Sequence, residues 1–426
     1  MIHVHWLSRF DRFKKLIVGY SGGLDSTVLL HVLASFPNLR AKLVAVHVNH
    51  GISVNADSWQ HHCAQWCQQF NIAFITESVH FDHGANLEER ARNARYAVFS
   101  SLLDEEGCLI LGHHQDDQAE TVLLQLLRGT GIDGLAAMSE RSFLGASTLI
   151  RPLLHYTRAQ LEHYAVLHQL NWIEDESNQD ITYARNYLRQ EIMPKLLAKW
   201  PAAVRNISRA AVHCRQAKDN LDTLAMIDYP KLASANGLLR IESLQQLSLE
   251  RMTNILRVWL KKNHISLPPA ATFQCLIHEV IYARTDATPE VSWGNNIIRR
   301  FHSQLYLEKK NKFNAPLSTP WSHFPEPLVF NEIGITLNAQ KSISGVFIPE
   351  NAKIVINFRR GGEVFFWHGQ HKRLKKLFQE WNIPPWFRDK IPLIYINDVL
   401  AVVVGYAVSD EFYKKNSLYL WTIALE

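Results

Sequence analysis

The hexapeptide Ser21-Gly22-Gly23-Leu24-Asp25-Ser26 places two glycines, two hydroxyls and one carboxylate in a single turn, and that set suits a nucleoside triphosphate. Gly22 and Gly23 lack Cβ, which permits positive φ and lets backbone N–H groups approach an anion closely. The hydroxyls of Ser21, Ser26 and Thr27 add donors, and a helix opening here adds the partial positive charge of its N-terminus. No lysine stands where a Walker A loop would reach a terminal phosphate, so the turn is suited to holding pyrophosphate rather than transferring a γ-phosphoryl group. Asp25 would repel phosphate unless a cation intervened, which points to Mg²⁺. The bland alternative is an ordinary strand-to-helix turn with glycines for geometry.

A second cluster, His113-His114-Gln115-Asp116-Asp117 running on to Glu120-Thr121, follows another apolar run and opens another helix. Two acids and two imidazoles there can hold Mg²⁺, orient an amine or accept its proton. The plain reading is that the acids complement the helix dipole and the histidines fill space. Arg128, in a glycine-rich turn after that helix, can pair bidentately with phosphate, or simply favour the dipole. Arg185 and Arg189, spaced i, i+4 beyond Asp175-Glu176-Ser177-Asn178, share a face on a basic helix expected to end at Pro194. Towards the C-terminus, Lys372-Arg373-Leu374-Lys375-Lys376 is followed by Phe378, Trp381 and Trp386, and cations interleaved with aromatics suit an RNA surface. A generic amphipathic helix explains Leu374, Leu377 and Phe378 but does not require the four cations.

The elements that must position these groups are parallel βαβ units. Apolar runs at Leu16 to Gly19, Leu43 to Val48, Ile72 to Thr76 and Cys108 to Gly112 alternate with helical patterns, and Asn86-Leu87-Glu88-Glu89 fits a helix cap. Ligands bind beyond the carboxyl ends of strands in open α/β sheets, so Ser21 to Ser26, His47 to Gly51 and Gly112 to Asp117 are expected to converge. After a strand-like Thr148 to Arg151 the pattern is helical to about Lys218. The expected organisation is an α/β domain over residues 1–218, a mostly helical central domain over 219–315, a proline-bearing linker over 316–345 and an α+β domain over 346–426.

Composition narrows the class. With 47% hydrophobic and 20% charged residues over 426 positions, the chain reads as a soluble globular protein of about two to four domains. No run of ~18 apolar residues and no signal pattern in Met1-Ile2-His3-Val4-His5-Trp6 appears, which makes the cytoplasm the expected location and a membrane partner unexpected. Five scattered cysteines argue against a disulfide framework, and Cys63 and Cys67 read as buried small hydrophobes. No C-x-x-C pair is present. The net charge of +5 is compatible with nucleic acid without requiring it.

The hexapeptide resembles the signature of the PP-loop ATP pyrophosphatases, which adenylate a substrate and release pyrophosphate. Together with Val46 to Gly51, Ala91 to Tyr96, His113 to Thr121, Arg128 to Leu135, Arg151 to Leu154, Asp175 to Arg189 and the Arg359 to Arg388 block, it resembles the tRNA(Ile)-lysidine synthetase family within that superfamily. The resemblance is dense over residues 15–195, weak from about 219 to 340, and good again near the end. It implies a parallel-sheet PP-loop domain followed by tRNA-binding domains, and a ligase forming a C–N bond. ATP would adenylate the 2-carbonyl oxygen of the wobble cytidine in the CAU-anticodon isoleucine tRNA, pyrophosphate would leave, and the ε-amine of free lysine would displace AMP to give lysidine. Codon reading and aminoacylation would change from methionine to isoleucine.

On this reading Ser21, Gly22, Gly23, Leu24, Asp25 and Ser26 hold ATP, with Asp25 acting through Mg²⁺, and Arg128 stabilises charge near the adenylate. The ε-amine of lysine is protonated at neutral pH, so His114, Asp116 or Asp117 is expected to favour its neutral form or take its proton. Arg92, Arg95, Arg185, Arg189, Lys372, Arg373, Lys375 and Lys376 are expected tRNA contacts. A tRNA cytidine thiolase would share the fold but is disfavoured by the missing C-x-x-C. An amidotransferase would need a nucleophilic cysteine elbow, which is absent. A non-catalytic tRNA-binding paralogue is disfavoured by the intact Asp25 and Asp117.

Overall fold

A computed structural model describes residues 4–51, 53, 55–79, 87–234, 237–284, 287–310, 313–415 and 420–425. The expected helix cap at Asn86 and the first three residues of the N-terminal segment lie outside them. Two compact units are present, Met1–Ile227 and Asp228–Glu426.

In the first unit, β1 (Lys15–Gly19), β2 (Leu43–Asn49), β3 (Ala73–Ser78), β4 (Gly107–Ile110), β5 (Arg141–Leu144) and β6 (Ser147–Ile150) form one sheet in the order β3-β2-β1-β4-β6-β5. Every pairing is parallel except β5 with β6. The central strands β1, β2 and β4 are apolar on both faces because both faces are covered, whereas the edge strands β3 and β5 are largely exposed. Leu16 and Val18 enter one core with Leu43, Ala45 and Ile110, whereas Ile17 enters the opposite core with Val46, Leu109 and Leu149. Full burial of each such aliphatic side chain contributes about 1.5–3 kcal/mol. The chain runs from β1 outward to β2 and β3, then returns to the other side of β1 with β4. That reversal opens a crevice at the carboxyl ends of β1 and β4.

The helix Leu24–Ala34 follows β1 and the helix Gln115–Leu127 follows β4, so both phosphate-loop and histidine–aspartate sequences sit at this crevice. Cys63, Cys67 and Cys108 are buried, and burial pushes each thiol up to about 12. They are packing residues, as the spacing of Cys63 and Cys67 suggested for those two.

Three boundaries differ from expectation. The one placed after residue 218 lies inside the helix Ala203–Leu232. Pro194 does not end the basic segment: it stands in the first turn of the helix Met193–Lys199, where its missing N–H is harmless. The stretch 316–345 is not a bare linker. Thr319–Pro320 forms the edge of a five-stranded sheet, Ile335–Phe347 pairs with Leu420–Leu425, and Trp321, Phe330 and Leu337 enter the core beside Ile356 and Ile394. Proline suggested a linker, but an edge strand needs no inward N–H from it.

The second unit starts with a helical stretch including Leu249–Lys262, whose Met252, Ile255, Leu256, Trp259 and Leu260 are buried. A four-stranded antiparallel sheet accompanies it, containing the expected strands as Asn296–Phe301 and Gln304–Lys309. The α+β region follows. Its basic helix spans Leu374–Glu380, while Lys372 and Arg373 belong to the preceding strand Gln370–Arg373. Among the described residues no helix is long and apolar enough to cross a membrane.

Candidate active site

The strand β1 ends at Gly19, and the chain turns through Ser21 to Gly23 before the helix starts at Leu24 without a side-chain cap. Gly22 has φ +82°, and a Cβ there would lie 2.7 Å from Ile173 Cδ1 and 2.9 Å from Cys63 Sγ, so glycine is required both by conformation and by space. The turn is tied internally. Ser26 Oγ donates to the Gly23 carbonyl at 3.0 Å and accepts from the Ser21 N–H at 3.3 Å, while the Ile173 N–H donates to the Gly22 carbonyl at 2.9 Å. Leu24 has its side chain in the core, so its contribution to an anion site is its backbone. The loop packs closely on the end of β4: a Cβ on Gly112 would meet the Asp25 carbonyl oxygen at 3.0 Å.

Asp25 projects towards the second cluster. His114 caps the helix Gln115–Leu127, its Nδ1 accepting from the Asp116 N–H at 3.2 Å, while the Asp117 carboxylate accepts from the His114 N–H at 3.0 Å. Nε2 of His114 lies 3.5 Å from Asp25 Oδ2 and 3.4 Å from Asp117 Oδ2. Burial opposes charge on this ring, but hydrogen bonds to Asp116 and Asp25 and the charges of Asp117 and Asp25 push its pKa up to about 10. A ring with that pKa is protonated at neutral pH, so its Nδ1 carries hydrogen and faces Asp116 Oδ2 at 3.6 Å, and the Nδ1 cap belongs to the neutral ring alone. In both states Nε2–H faces the carboxylates. His114 is therefore not placed to accept a proton from an amine.

The neighbouring acids are similarly committed. Asp116 Oδ2 accepts from the Arg158 N–H at 2.8 Å, at the start of the helix Arg158–Leu167, and its pKa is lowered because His114 and that N–H outweigh burial. Asp117 is held down to about 2: burial would raise it, but the charges of His114, Arg185 and His113 and the His114 N–H prevail. A carboxylate so acidic is a weak base. These two acids orient and neutralise rather than carry protons. His113, by contrast, is pushed down to about 3 by burial, reinforced by surrounding arginines. Its Nδ1 accepts from Arg151 Nε at 3.3 Å, which leaves hydrogen on Nε2.

Four arginines are placed differently from expectation. Arg185 and Arg189 do not form a free RNA-facing pair: Arg185 Nε donates to Glu120 Oε2 at 2.9 Å, Arg189 Nε to Glu120 Oε1 at 2.7 Å, and Arg189 also donates to Asp117 at 3.2 Å. Glu120 is buried, and without these partners its charge would be unsupported there. Arg95 lines the same pocket, with its Nε buried and without a hydrogen-bond partner. Arg128, expected near the adenylate, follows the last turn of the helix Gln115–Leu127 and is exposed. Along a helix of this length it is about 20 Å from the His114 end. Arg92 is exposed, with its guanidinium 5.2 Å from the Tyr96 ring.

These groups border one pocket of about 550 Å³, lined by Ser21, Gly23, Asp25 and Ser26 from the loop, Val46 to Gly51 from the end of β2, and Gly112, His113 and Asp117. Arg95, Asp175, Tyr183, Arg185 and Arg189 complete its wall. The expected convergence of three strand ends is present. Glu120, Arg151 and Gly112 were not assigned roles from sequence. Asp117 and Glu120 at i, i+3 opposite Arg185 and Arg189 at i, i+4 was the available signal for Glu120: two helical faces of opposite charge.

Mg²⁺ fits this donor set. Asp25 Oδ1 is buried and has no protein partner, while its carboxylate adjoins the loop suited to phosphate. Among the described residues no group of three or more His, Cys, Asp or Glu side chains forms a ready-made metal cage. An ion here would therefore take much of its coordination from phosphate oxygens and water, as Mg²⁺ commonly does.

Comparison with known proteins agrees with this arrangement. A PP-loop domain model matches residues 4–196, a TilS substrate binding domain model residues 239–306, and a TilS substrate C-terminal domain model residues 354–425. The chain is 58% identical over 423 residues to a tRNA(Ile)-lysidine synthase of Legionella pneumophila (strain Paris), covering 99% of this chain and 98% of that one. It is 39% identical over 418 residues to one from Coxiella burnetii, covering 96% and 92%, and 38% identical over 416 residues to one from Pectobacterium atrosepticum, covering 96% and 94%.

Proposed function

The chain belongs to the tRNA(Ile)-lysidine synthase family, and on that premise we propose how its own residues perform the family's reaction. ATP adenylates the 2-carbonyl oxygen of the wobble cytidine in CAU-anticodon tRNA(Ile), and pyrophosphate leaves. The lysine ε-amine then forms a C–N bond at that carbon as the C–O bond to AMP breaks.

Ser21, Gly22, Gly23, Leu24 and Ser26 hold the phosphates, Leu24 through its backbone alone. Their internal hydrogen bonds fix the loop before substrate arrives, so little ordering remains at the moment of reaction. Asp25 holds Mg²⁺, which when bound neutralises phosphate charge. His114 keeps Asp25 and Asp117 in place by presenting Nε2–H to both. Arg185 and Arg189, with Arg95, take the charge-stabilising role first expected of Arg128. They stand on the pocket wall where a polyanion would lie. Arg92, Lys372, Arg373, Lys375 and Lys376 contact tRNA. The first unit carries adenylation, and the family segments 239–306 and 354–425 bind tRNA.

The observation that supports this reading most directly is the pocket shared by the Ser21 to Ser26 loop with His113 and Asp117, walled by arginines. Incubation with ATP, Mg²⁺, lysine and a minor tRNA(Ile) transcript is expected to give equal amounts of AMP and pyrophosphate. Mass spectrometry of the anticodon loop should place the lysine adduct on the wobble cytidine. Production of ADP, or equal turnover with cysteine or glutamine in place of lysine, would overturn it.

A further inference from the structure

A second cavity, of about 530 Å³, opens in the second unit. Its wall includes Trp367, Tyr406, Tyr413 and Trp421, with Val402 and Val408 between them. Tyr406 is 49% exposed, yet its ring is held: it stacks on Trp381 at 5.9 Å with an interplanar angle of 12°. Trp381 is fixed in turn by edge contacts with Trp367 at 6.0 Å and Phe365 at 6.5 Å. Thus an exposed aromatic bordering the cavity is braced from beneath by a rigid aromatic layer. A solvent-facing tyrosine requires no such brace to keep the fold.

Charge surrounds the apolar wall. Lys414 and Lys415 follow Tyr413 directly in the strand Tyr413–Lys415, where side chains alternate faces: Lys414 Nζ lies 3.8 Å from the Phe347 ring centroid, and exposed Lys415 is on the Tyr413 side. Lys415 Nζ lies 5.9 Å from the Tyr413 ring centroid, and Lys341 Nζ lies 6.0 Å from that of Trp421. One carboxylate, Asp410, also borders the cavity, with Oδ2 accepting from the Gly369 N–H at 2.8 Å. Its other oxygen can accept from a base amino group or a ribose hydroxyl. A planar π-face, cations within reach of a phosphate and one polar acceptor match an unpaired nucleotide better than an apolar peptide, which would gain nothing from the lysines.

We propose that this cavity receives one unpaired nucleotide of the bound tRNA, its base stacked on Tyr406 and its phosphate next to Lys415. This deepens the tRNA-ligase reading and rests on it. The cavity is separate from the Lys372 to Lys376 cations assigned to tRNA from sequence, none of which lines it.

The test uses the full chain with ATP, lysine and tRNA(Ile). Lysidine formation by the unaltered protein checks the underlying reading first. Tyr406→Ala is then expected to raise the KM for tRNA about tenfold with kcat and the KM for ATP nearly unchanged, whereas Tyr406→Phe, which keeps the ring, should behave as the parent. Ultraviolet crosslinking followed by peptide mass spectrometry should join an unpaired nucleotide to the peptides bearing Tyr406 or Tyr413. An unchanged tRNA KM in Tyr406→Ala, equal loss in Tyr406→Phe, or crosslinks only to base-paired nucleotides would each overturn the proposal while leaving the ligase assignment intact.

Discussion

The pocket of the first unit and the basic helix of the second both concentrate charge, but they dispose of it in opposite ways. At the pocket, Arg185 and Arg189 converge on a buried Glu120, and Asp25, Asp116 and Asp117 surround His114. Most of these charges are paired inside the protein, while Asp25 Oδ1 and Arg95 Nε are buried without a partner and face the ligand's side of the array. On the helix Leu374–Glu380, Lys375 and Lys376 are exposed, and of the neighbouring cations Lys372 reaches Glu380 at 3.2 Å. Exposed pairs of that kind contribute little. The comparison teaches that cation count alone does not mark an RNA surface: Arg185 and Arg189 are committed to buried carboxylates, whereas solvated lysines remain available to phosphate.

The largest expected effect is at Asp25, whose Oδ1 is buried at the pocket without a partner. Asp25→Ala should lower kcat for adenylation by about 10³-fold or more while tRNA affinity stays within about twofold, measured by pyrophosphate release and filter binding. Equal loss of both would contradict a role confined to the phosphates. Next, Glu120→Gln leaves Arg185 and Arg189 with Asp117 as their one remaining shared counter-charge among the described residues. A loss of about 3 kcal/mol in urea unfolding is expected, with reduced kcat, and an unchanged protein would show that the pair is not structural.

Acid provides a sharper probe of the same network. Asp117 titrates below its ordinary value, at about 2, so its stabilising contribution is present above about pH 4 and is lost as pH falls towards 2. Asp117→Asn should flatten that limb of the stability profile, read by circular dichroism. On the other side of the comparison, Lys375→Ala with Lys376→Ala should raise tRNA KM about tenfold and flatten the slope of log KM against log salt by roughly one to two, with ATP KM unmoved. An altered ATP KM with unaltered tRNA KM would remove these lysines from the RNA surface. The smallest effect is predicted for Arg128→Ala. Because the residue lies at the exposed far end of its helix, kcat should change by less than about threefold in single-turnover adenylation. A loss near that of Asp25→Ala would show that Arg128 reaches the pocket when substrate is bound.

Local pattern made the strand ends legible. Apolar runs alternating with helical segments specify covered parallel strands, and the glycines at 22 and 23 specify a turn that side chains would obstruct on at least one side. The strand Ile335–Phe347 was less legible because Lys341, Ser342 and Ser344 interrupt its apolar alternation. Its pairing with Leu420–Leu425 supplies what local pattern does not. The spacing of Arg185 and Arg189 showed that they share a face, but spacing along one helix carries no information about what lies opposite. Here it is Glu120, about 65 positions away in the chain.

By itself the sequence determined the glycine-rich loop, the alternation of strands and helices, the burial of Cys63 and Cys67 and the cations of the C-terminal region, because each is encoded by residues close together in the chain. Only the tertiary structure decided that His114 is flanked by three carboxylates and is not a free base, that Arg95, Arg185 and Arg189 line the pocket at the glycine-rich loop while Arg128 does not, and that Tyr406 is braced at a cavity. The physical reason is common to all three. Hydrogen bonding and desolvation set what a polar side chain can do, and both depend on partners brought together from distant parts of the chain.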